Sequence, residues 1–364
     1  MKPRLLGLAL LLAGCHHEVA PPPPAAPSPA APEPQAPAPA SRPAPPSPSP
    51  TPTPPPTPRA RFLAVGDVLL SRGVAKAIEA ADDPELPFRG MADHFTTVDF
   101  TFANLEFPFA KEIRVPVRGN IFNAPQAWVA GLVKHRFQVL NLANNHAMDQ
   151  GLGGLLETIE LLQNNHLTFF GAGKSEKQAW APALVEVQGI RIGFVGACYA
   201  SVNDSGKTWL PHVARIEEKH RLKAAIDDLK TRSDFIVATM HAGIEYVPVS
   251  FGPQQLFAKA ALDFGADIVI GAHPHVVQPA EERDGRYIFY SLGNFIFDQT
   301  DRHTDEGAAL DITLTRQGDA VRLTRLEVLP VAIEDGTPRL AAPAQAAGVL
   351  ERMKLPRALL VDAP

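Results

Sequence analysis

Between residues 61 and 328, short unbroken apolar runs alternate with longer stretches in which apolar positions return every three or four residues. Unbroken or period-two runs of about four to eight residues suit strands, whereas the 3.6-residue period suits helices that bury one face. Residues 61–65, 100–103, 138–142, 235–239 and 268–270 therefore read as strands, with helices expected at 73–80, 126–134, 152–164, 214–230 and 254–264. Alternation of this kind implies βαβ units and a largely parallel sheet. A second group of strands, at 184–187, 191–195, 287–291, 310–315 and 321–328, is more closely spaced and separated by turn residues. The two groups together fit an α/β sandwich of two mixed β-sheets flanked by α-helices better than one open sheet. No repeat of fixed period is evident.

The first 58 residues follow neither pattern. Two positive charges in residues 1–4 precede a short apolar stretch over 5–13, which ends in Leu12-Ala13-Gly14-Cys15. A stretch so short reads as an export signal rather than a membrane span. Leu-Ala-Gly-Cys resembles a bacterial lipobox, which implies a signal peptide over residues 1–14 and lipid on Cys15; the alternative is an ordinary secretory signal cut elsewhere. Residues 15–58 read as a disordered Pro/Ala-rich tether, since they lack large apolar side chains. In polyproline form, at about 3.1 Å per residue, it could reach on the order of 100 Å. The working domain is expected over 59–330, with 331–364 as an extension that packs on it or trails from it. The expected location is the bacterial cell envelope.

Charge and cysteine content narrow the partners. The formal charge is −5, and loss of Lys2 and Arg4 with the signal makes it −7. There is no basic block or aromatic platform, so nucleic acid is not an expected partner. Attraction for an anionic ligand must then come from a local feature such as a bound cation. With Cys15 lipidated, only Cys198 remains; it ends an apolar run and reads as a buried small hydrophobe.

The chemistry gathers where strands end. Gly66-Asp67 follows the first strand, Asn104-Leu105-Glu106 the second and Asn144-Asn145-His146 the third. His241 follows the 235–239 run, and His273-Pro274-His275 the 268–270 run. Ligands of open α/β sheets bind beyond the carboxyl ends of strands. Carboxylates, imidazoles and amide oxygens are the donor types that suit Mn, Fe or Zn. A carboxylate shared by two cations offsets their repulsion, and imidazoles hold metal while leaving positions open for water. His94, His135, His166, His212, His220 and His303 lie in no such cluster and are read as surface or hydrogen-bonded histidines; Trp128, Trp180 and Trp209 are read as packing residues.

Six segments, in order, carry a resemblance. They are Gly66-Asp67-Val68, Asn104-Leu105-Glu106, Asn144-Asn145-His146 with Asp149 and Gly151, His241-Ala242-Gly243-x-Glu245-Tyr246, Gly271 to His275, and Ser291-Leu292-Gly293-Asn294-Phe295. Over residues 61–298 the chain resembles the CapA-type poly-gamma-glutamate capsule-synthesis family, itself similar to calcineurin-like metallophosphoesterases. The resemblance implies a metallophosphatase-like sandwich with a site at one edge and one or two divalent ions. It makes Asp67 and His275 ligands of one metal, Glu106 the bridge, and Asn145, His241 and His273 ligands of the other. It makes His146 the acid that protonates a leaving oxygen or stabilises the transition state. Asp149 either orients His146 or caps the following helix, with capping slightly ahead. Arg72, Asn104, Glu245 and Asn294 become candidates for outer-sphere support or substrate anion binding.

One position departs from the metallophosphoesterase pattern. Those enzymes open with Asp-x-His, and Leu69 stands where the histidine would be. Two functions follow. One is a lipid-anchored metal-dependent hydrolase acting on an anionic polymer or phosphoester; the other is a non-catalytic capsule-assembly or polymer-binding protein with capsule-synthesis partners.

Overall fold

In the computed structural model, which describes residues 57–199 and 211–362 together with Pro21, Pro22 and Pro24, the unbroken apolar runs form strands covered on both faces. The chain divides into Met1–Pro54 and Pro55–Pro364. The signal segment, Cys15, nearly all of the tether and Trp209 lie outside the described residues.

The strands of the second unit are, in chain order, β1 (Arg59–Val68), β2 (Phe100–Leu105), β3 (Phe137–Asn141), β4 (Thr168–Phe170), β5 (Ala183–Val187), β6 (Ile190–Cys198), β7 (Phe235–His241), β8 (Ile268–Ala272), β9 (Ala280–Arg283), β10 (Arg286–Phe289), β11 (Asn294–Ile296), β12 (Glu306–Gln317), β13 (Ala320–Glu334), β14 (Thr337–Leu340) and β15 (Leu359–Asp362). The helices are α1 (Arg72–Ala81), α2 (Ala92–Thr96), α3 (Val129–Lys134), α4 (Gly151–Asn164), α5 (Glu176–Ala179), α6 (Lys219–Arg232), α7 (Gly252–Phe264) and α8 (Pro343–Arg352).

Two mixed sheets result. The first has the order β14-β13-β12-β1-β2-β3-β4, with β11 also paired to β1 and β15 to β13; the second runs β5-β6-β7-β8-β10-β9. Strands β1 to β4 are parallel, as are β6, β7, β8 and β10. Alternate side chains of β1 explain the layering, because period two sends neighbours to opposite faces. Phe62 and Ala64 join Phe100, Phe102, Phe194, Val237 and Phe289 between the sheets, while Leu63 and Val65 pack outward with residues of α1, α3 and α4. Helices α6 and α7 cover the outer face of the second sheet through Leu222, Ile226, Leu229, Phe257 and Leu262. Phe62 and Phe100 stack at 4.9 Å between the sheets. Burying each such ring stabilises by roughly 1.5–3 kcal/mol.

The segment from Tyr290 to Asn294 crosses between the sheets. Leu292 N–H donates to Gly271 O of β8, and Asp67 N–H of β1 donates to Gly293 O. Two glycines permit this approach: a Cβ on Gly66 would lie 1.9 Å from Gly293 O, and one on Gly271 would lie 2.0 Å from Tyr290 O.

Several boundaries differ from the sequence reading. The strand expected at 287–291 ends at Phe289, because Tyr290 begins the crossing. The helix expected at 214–230 begins only at Lys219. Ala214 and Ile216 instead bracket Cys198 in a strand-like bridge, with Cys198 N–H on Ala214 O and Ile216 N–H on Cys198 O. Residue 330 falls inside β13, and the residues beyond it complete the sheet edge; Val349 and Met353 enter the core between the sheets. Among the described residues no helix is long and apolar enough to cross a membrane.

Candidate metal centre

Parallel register brings the polar strand ends together. Across β11, β1, β2 and β3, Asn294 is level with Asp67, Asp67 with Asn104, and Asn104 with Asn141. Asn104 links this row to the second sheet. Its Nδ2 donates to Asp67 Oδ1 at 2.7 Å and lies 3.1 Å from His241 Nδ1 at the end of β7, while its Oδ1 accepts from Asn141 at 2.9 Å. The second sheet supplies the imidazoles: His241 ends β7, and His273 and His275 follow β8 in left-handed backbone, at φ of 100° and 60°. Strained backbone at non-glycine residues is tolerated where surrounding structure enforces it, commonly at functional sites.

Two donor sets share one carboxylate. Glu106, His241 and His273 form one; Asp67, Glu106 and His275 form the other, with ligand atoms of each set within 4.8 Å of one another. Asn145 adds an amide oxygen to the first set, 2.7 Å from His241 Nε2, which is itself 3.1 Å from His273 Nδ1. In the second, His275 Nδ1 lies 3.4 Å from Asp67 Oδ2 and 3.0 Å from Asn294 Oδ1. Leu69 turns into the apolar cluster beneath α1 and offers nothing to the centre, so Asn294 is the polar neighbour there instead.

The electrostatics suit a cation. Glu106 is fully buried and neither carboxylate oxygen has a hydrogen-bond partner. Burial, reinforced by the charge of Asp67, pushes the Glu106 carboxyl well above its usual range. Burial would raise Asp67 as well, but its contact with His275 and the neighbouring histidine charges outweigh that and lower it. Two adjacent carboxyls in a dry site cannot both ionise without a counter-charge. Burial and neighbouring histidines hold His241 well below the usual imidazole range and bring His273 down to about 3. Neutral imidazole is the ligand form. An uncompensated buried carboxylate between neutral imidazoles is what a divalent ion would complete, so these residues fit one or two such ions.

Beside the two sets stands a histidine with a carboxylate partner. His146 Nδ1 lies 2.8 Å from Asp149 Oδ2, and its Nε2 lies 3.8 Å from Glu106 Oε1. The ring of Phe122 stacks on the imidazole at 4.0 Å, and Phe122 N–H donates to Asp149 Oδ2. Burial raises the Asp149 carboxyl, with His146 opposing. The helix-capping role expected for Asp149 is not found: the residue before α4 is Gln150, with no side-chain cap, and Asp149 is spent on His146 and Phe122. Arg72 begins α1 and contacts Asp298, and its charge is felt at Glu106. Glu245 is exposed, and its charge is felt at Glu106. Sequence reasoning missed Phe122 and Asn141. Asn141 ends β3 in register with Asn104 and was legible as a strand end; Phe122 lies in an irregular segment with no pattern to mark it.

Residues 61–299 match the family model described as bacterial capsule synthesis protein PGA_cap. The chain is 32% identical over 286 residues to the capsule biosynthesis protein CapA of Bacillus anthracis, covering 76% of this chain and 68% of that protein. It is also 32% identical over 280 residues to the PGA biosynthesis protein CapA of Bacillus subtilis, covering 75% and 72%. Among solved structures, the calcineurin-like phosphoesterase YfkN of Bacillus subtilis is similar at a TM-score of 0.45 and 12% identity, covering 82% of this chain and 97% of that one.

Proposed function

Since the chain belongs to the bacterial capsule synthesis protein family PGA_cap, we propose that it is an envelope-anchored, metal-dependent hydrolase with phosphoesterase-like chemistry, acting on an anionic surface polymer during its synthesis or processing. The observation that carries the reading is Glu106, buried with no hydrogen bond to either oxygen and common to both donor sets. Asp67 and His275 would hold one ion, Asn145, His241 and His273 the other, with Glu106 between them. When bound, Mn, Fe or Zn would supply Lewis acidity and bring the pKa of water toward neutrality.

The chain's own groups do the rest. Asp149 fixes His146 through Nδ1, which leaves Nε2 directed at the centre to protonate a leaving oxygen. Phe122 covers one face of that imidazole and limits its rotation. Asn104 sets the orientation of Asp67 and His241 together. In this reading Cys15 carries lipid and the Pro/Ala-rich segment is the tether.

Metal analysis and a substrate panel test it. The purified full-length protein should contain about one or two Mn, Fe or Zn ions per chain and cleave phosphoester or gamma-glutamyl substrates. His273→Ala should lower metal content, and His146→Ala should cut turnover by roughly 100-fold or more with metal retained. Metal-free wild type, or turnover indifferent to His146→Ala, overturns the proposal. The buried Leu69 favours a second reading, a non-catalytic polymer-binding role in capsule assembly; metal and polymer binding without turnover would establish it.

A further inference from the structure

A guanidinium stands between two aromatic rings beside the centre. Arg72 Cζ lies 4.8 Å from the ring centroid of Phe122 and 5.2 Å from that of Phe297. Each ring leans in turn on a histidine of the centre: Phe122 stacks on His146 at 4.0 Å, and Phe297 lies 4.8 Å from His275. Arg72 is therefore one ring removed from both flanks. Asp298 holds it there, accepting from Arg72 Nη2 with one oxygen and from Gly73 N–H with the other.

A purely structural ion pair leaves two features unexplained. Arg72 Nε is buried and has no hydrogen-bond partner, although unmet polar groups normally cost about 1–3 kcal/mol. Arg72 is also in left-handed backbone, at φ 52°, a conformation an arginine has no intrinsic reason to adopt. The strain and the orphaned donor share a residue whose side chain remains 23% exposed. In a chain of net charge −5, attraction for an anion has to be local. A planar guanidinium flanked by rings is the group best suited to a carboxylate or phosphate.

We propose that Arg72 is the specificity-determining residue of the centre, receiving a carboxylate or phosphate of the substrate beside the metal site, so that anionic polymers are selected over neutral ones. The inference rests on the hydrolase reading only for what happens to the polymer afterwards. Phe122 and Phe297 position the guanidinium, and Asp298 anchors one of its nitrogens.

Calorimetry on full-length protein tests this with a glutamate polymer of defined length and, as its neutral counterpart, the same polymer with amidated side chains. Wild type should bind the anionic polymer preferentially, and more weakly as salt rises. Arg72→Gln should weaken anionic binding about tenfold or more while leaving neutral binding and melting temperature nearly unchanged. Arg72→Lys, which keeps the charge without the fork, should fall between, and it carries the test if Arg72→Gln does not fold. Equal binding of both polymers by wild type overturns the proposal, as does undiminished anionic binding by both variants. So does an equal loss of both polymers with lowered stability, the result expected of a structural ion pair. Turnover is read separately. Wild type that binds through Arg72 but cleaves nothing defeats the hydrolase reading alone, whereas cleavage by wild type with binding indifferent to Arg72→Gln defeats this one alone.

Discussion

A fully buried carboxylate with no hydrogen bond to either oxygen is uncommon, and Glu106 is such a group, with histidine nitrogens standing 3.7–3.9 Å from Oε1. Burial and the charge of Asp67 push its carboxyl well above the usual range, which favours the protonated form when no counter-ion is present. Replacing it with isosteric glutamine therefore costs the metal-free protein little. The same replacement removes the shared ligand of both donor sets. Glu106→Gln should leave the melting temperature in chelator within a few degrees of wild type and abolish the gain on adding metal, a gain of about 2.7 kcal/mol at 100 times Kd. Thermal scans with and without metal check this; a variant that still gains would remove Glu106 from the ligand set. The donors now seen around Glu106 were legible in the sequence because each directly follows an apolar run, and parallel register then makes neighbours of strand ends. Phe122 was not legible: it reaches His146 from an irregular segment 24 residues earlier. The role of Asp149 could not be chosen from sequence either, since spacing to a helix start is compatible with both a cap and a histidine partner.

Strands buried on both faces read as continuous apolar runs, which is why β1, β2, β3, β7 and β8 could be recognised. Strands β4, β9, β11, β14 and β15 have only three or four residues each, too few to establish a period, and escaped notice. At the start of β8, Asp267 shows how one side chain can tie elements together at an electrostatic cost. Its Oδ2 accepts from Ile236 N–H of β7 at 2.7 Å, while burial pushes its carboxyl up to about 6, against an ordinary value of 3.8. Between those values the folded protein keeps a proton that the unfolded chain has lost, so this group's contribution to stability falls as pH rises through the window. Asparagine keeps the acceptor and cannot ionise. The stability of Asp267→Asn relative to wild type should be similar near pH 4 and rise to at most about 3 kcal/mol in the variant's favour by pH 7. Denaturant titrations at the two pH values measure the gap, and a gap that does not widen refutes the assignment.

The whole chain nests one sheet inside the other: β5 to β10 lie in sequence between β4 and β11 of the first sheet. The centre draws Asp67, Glu106 and Asn145 from one part and His241, His273 and His275 from the other, so neither part holds a complete donor set. At this scale the proposed lipid anchor is also testable. Wild type should fractionate with membranes and Cys15→Ala with the soluble envelope fraction; identical fractionation would remove the anchor from the proposal. The nesting also gives the chain a schedule. Strand β1 pairs with β12 along its length, from Arg59 opposite Thr315 to Ala64 opposite Leu310. About 240 residues separate the end of β1 from the start of β12, so at roughly 5–20 residues per second β1 waits on the order of tens of seconds for that neighbour. An apolar strand with one open edge can recruit a strand from another chain. A nascent β1 would present that open edge until β12 follows, and the residues of the candidate metal centre can come together only after β8 and the crossing to β11 have emerged.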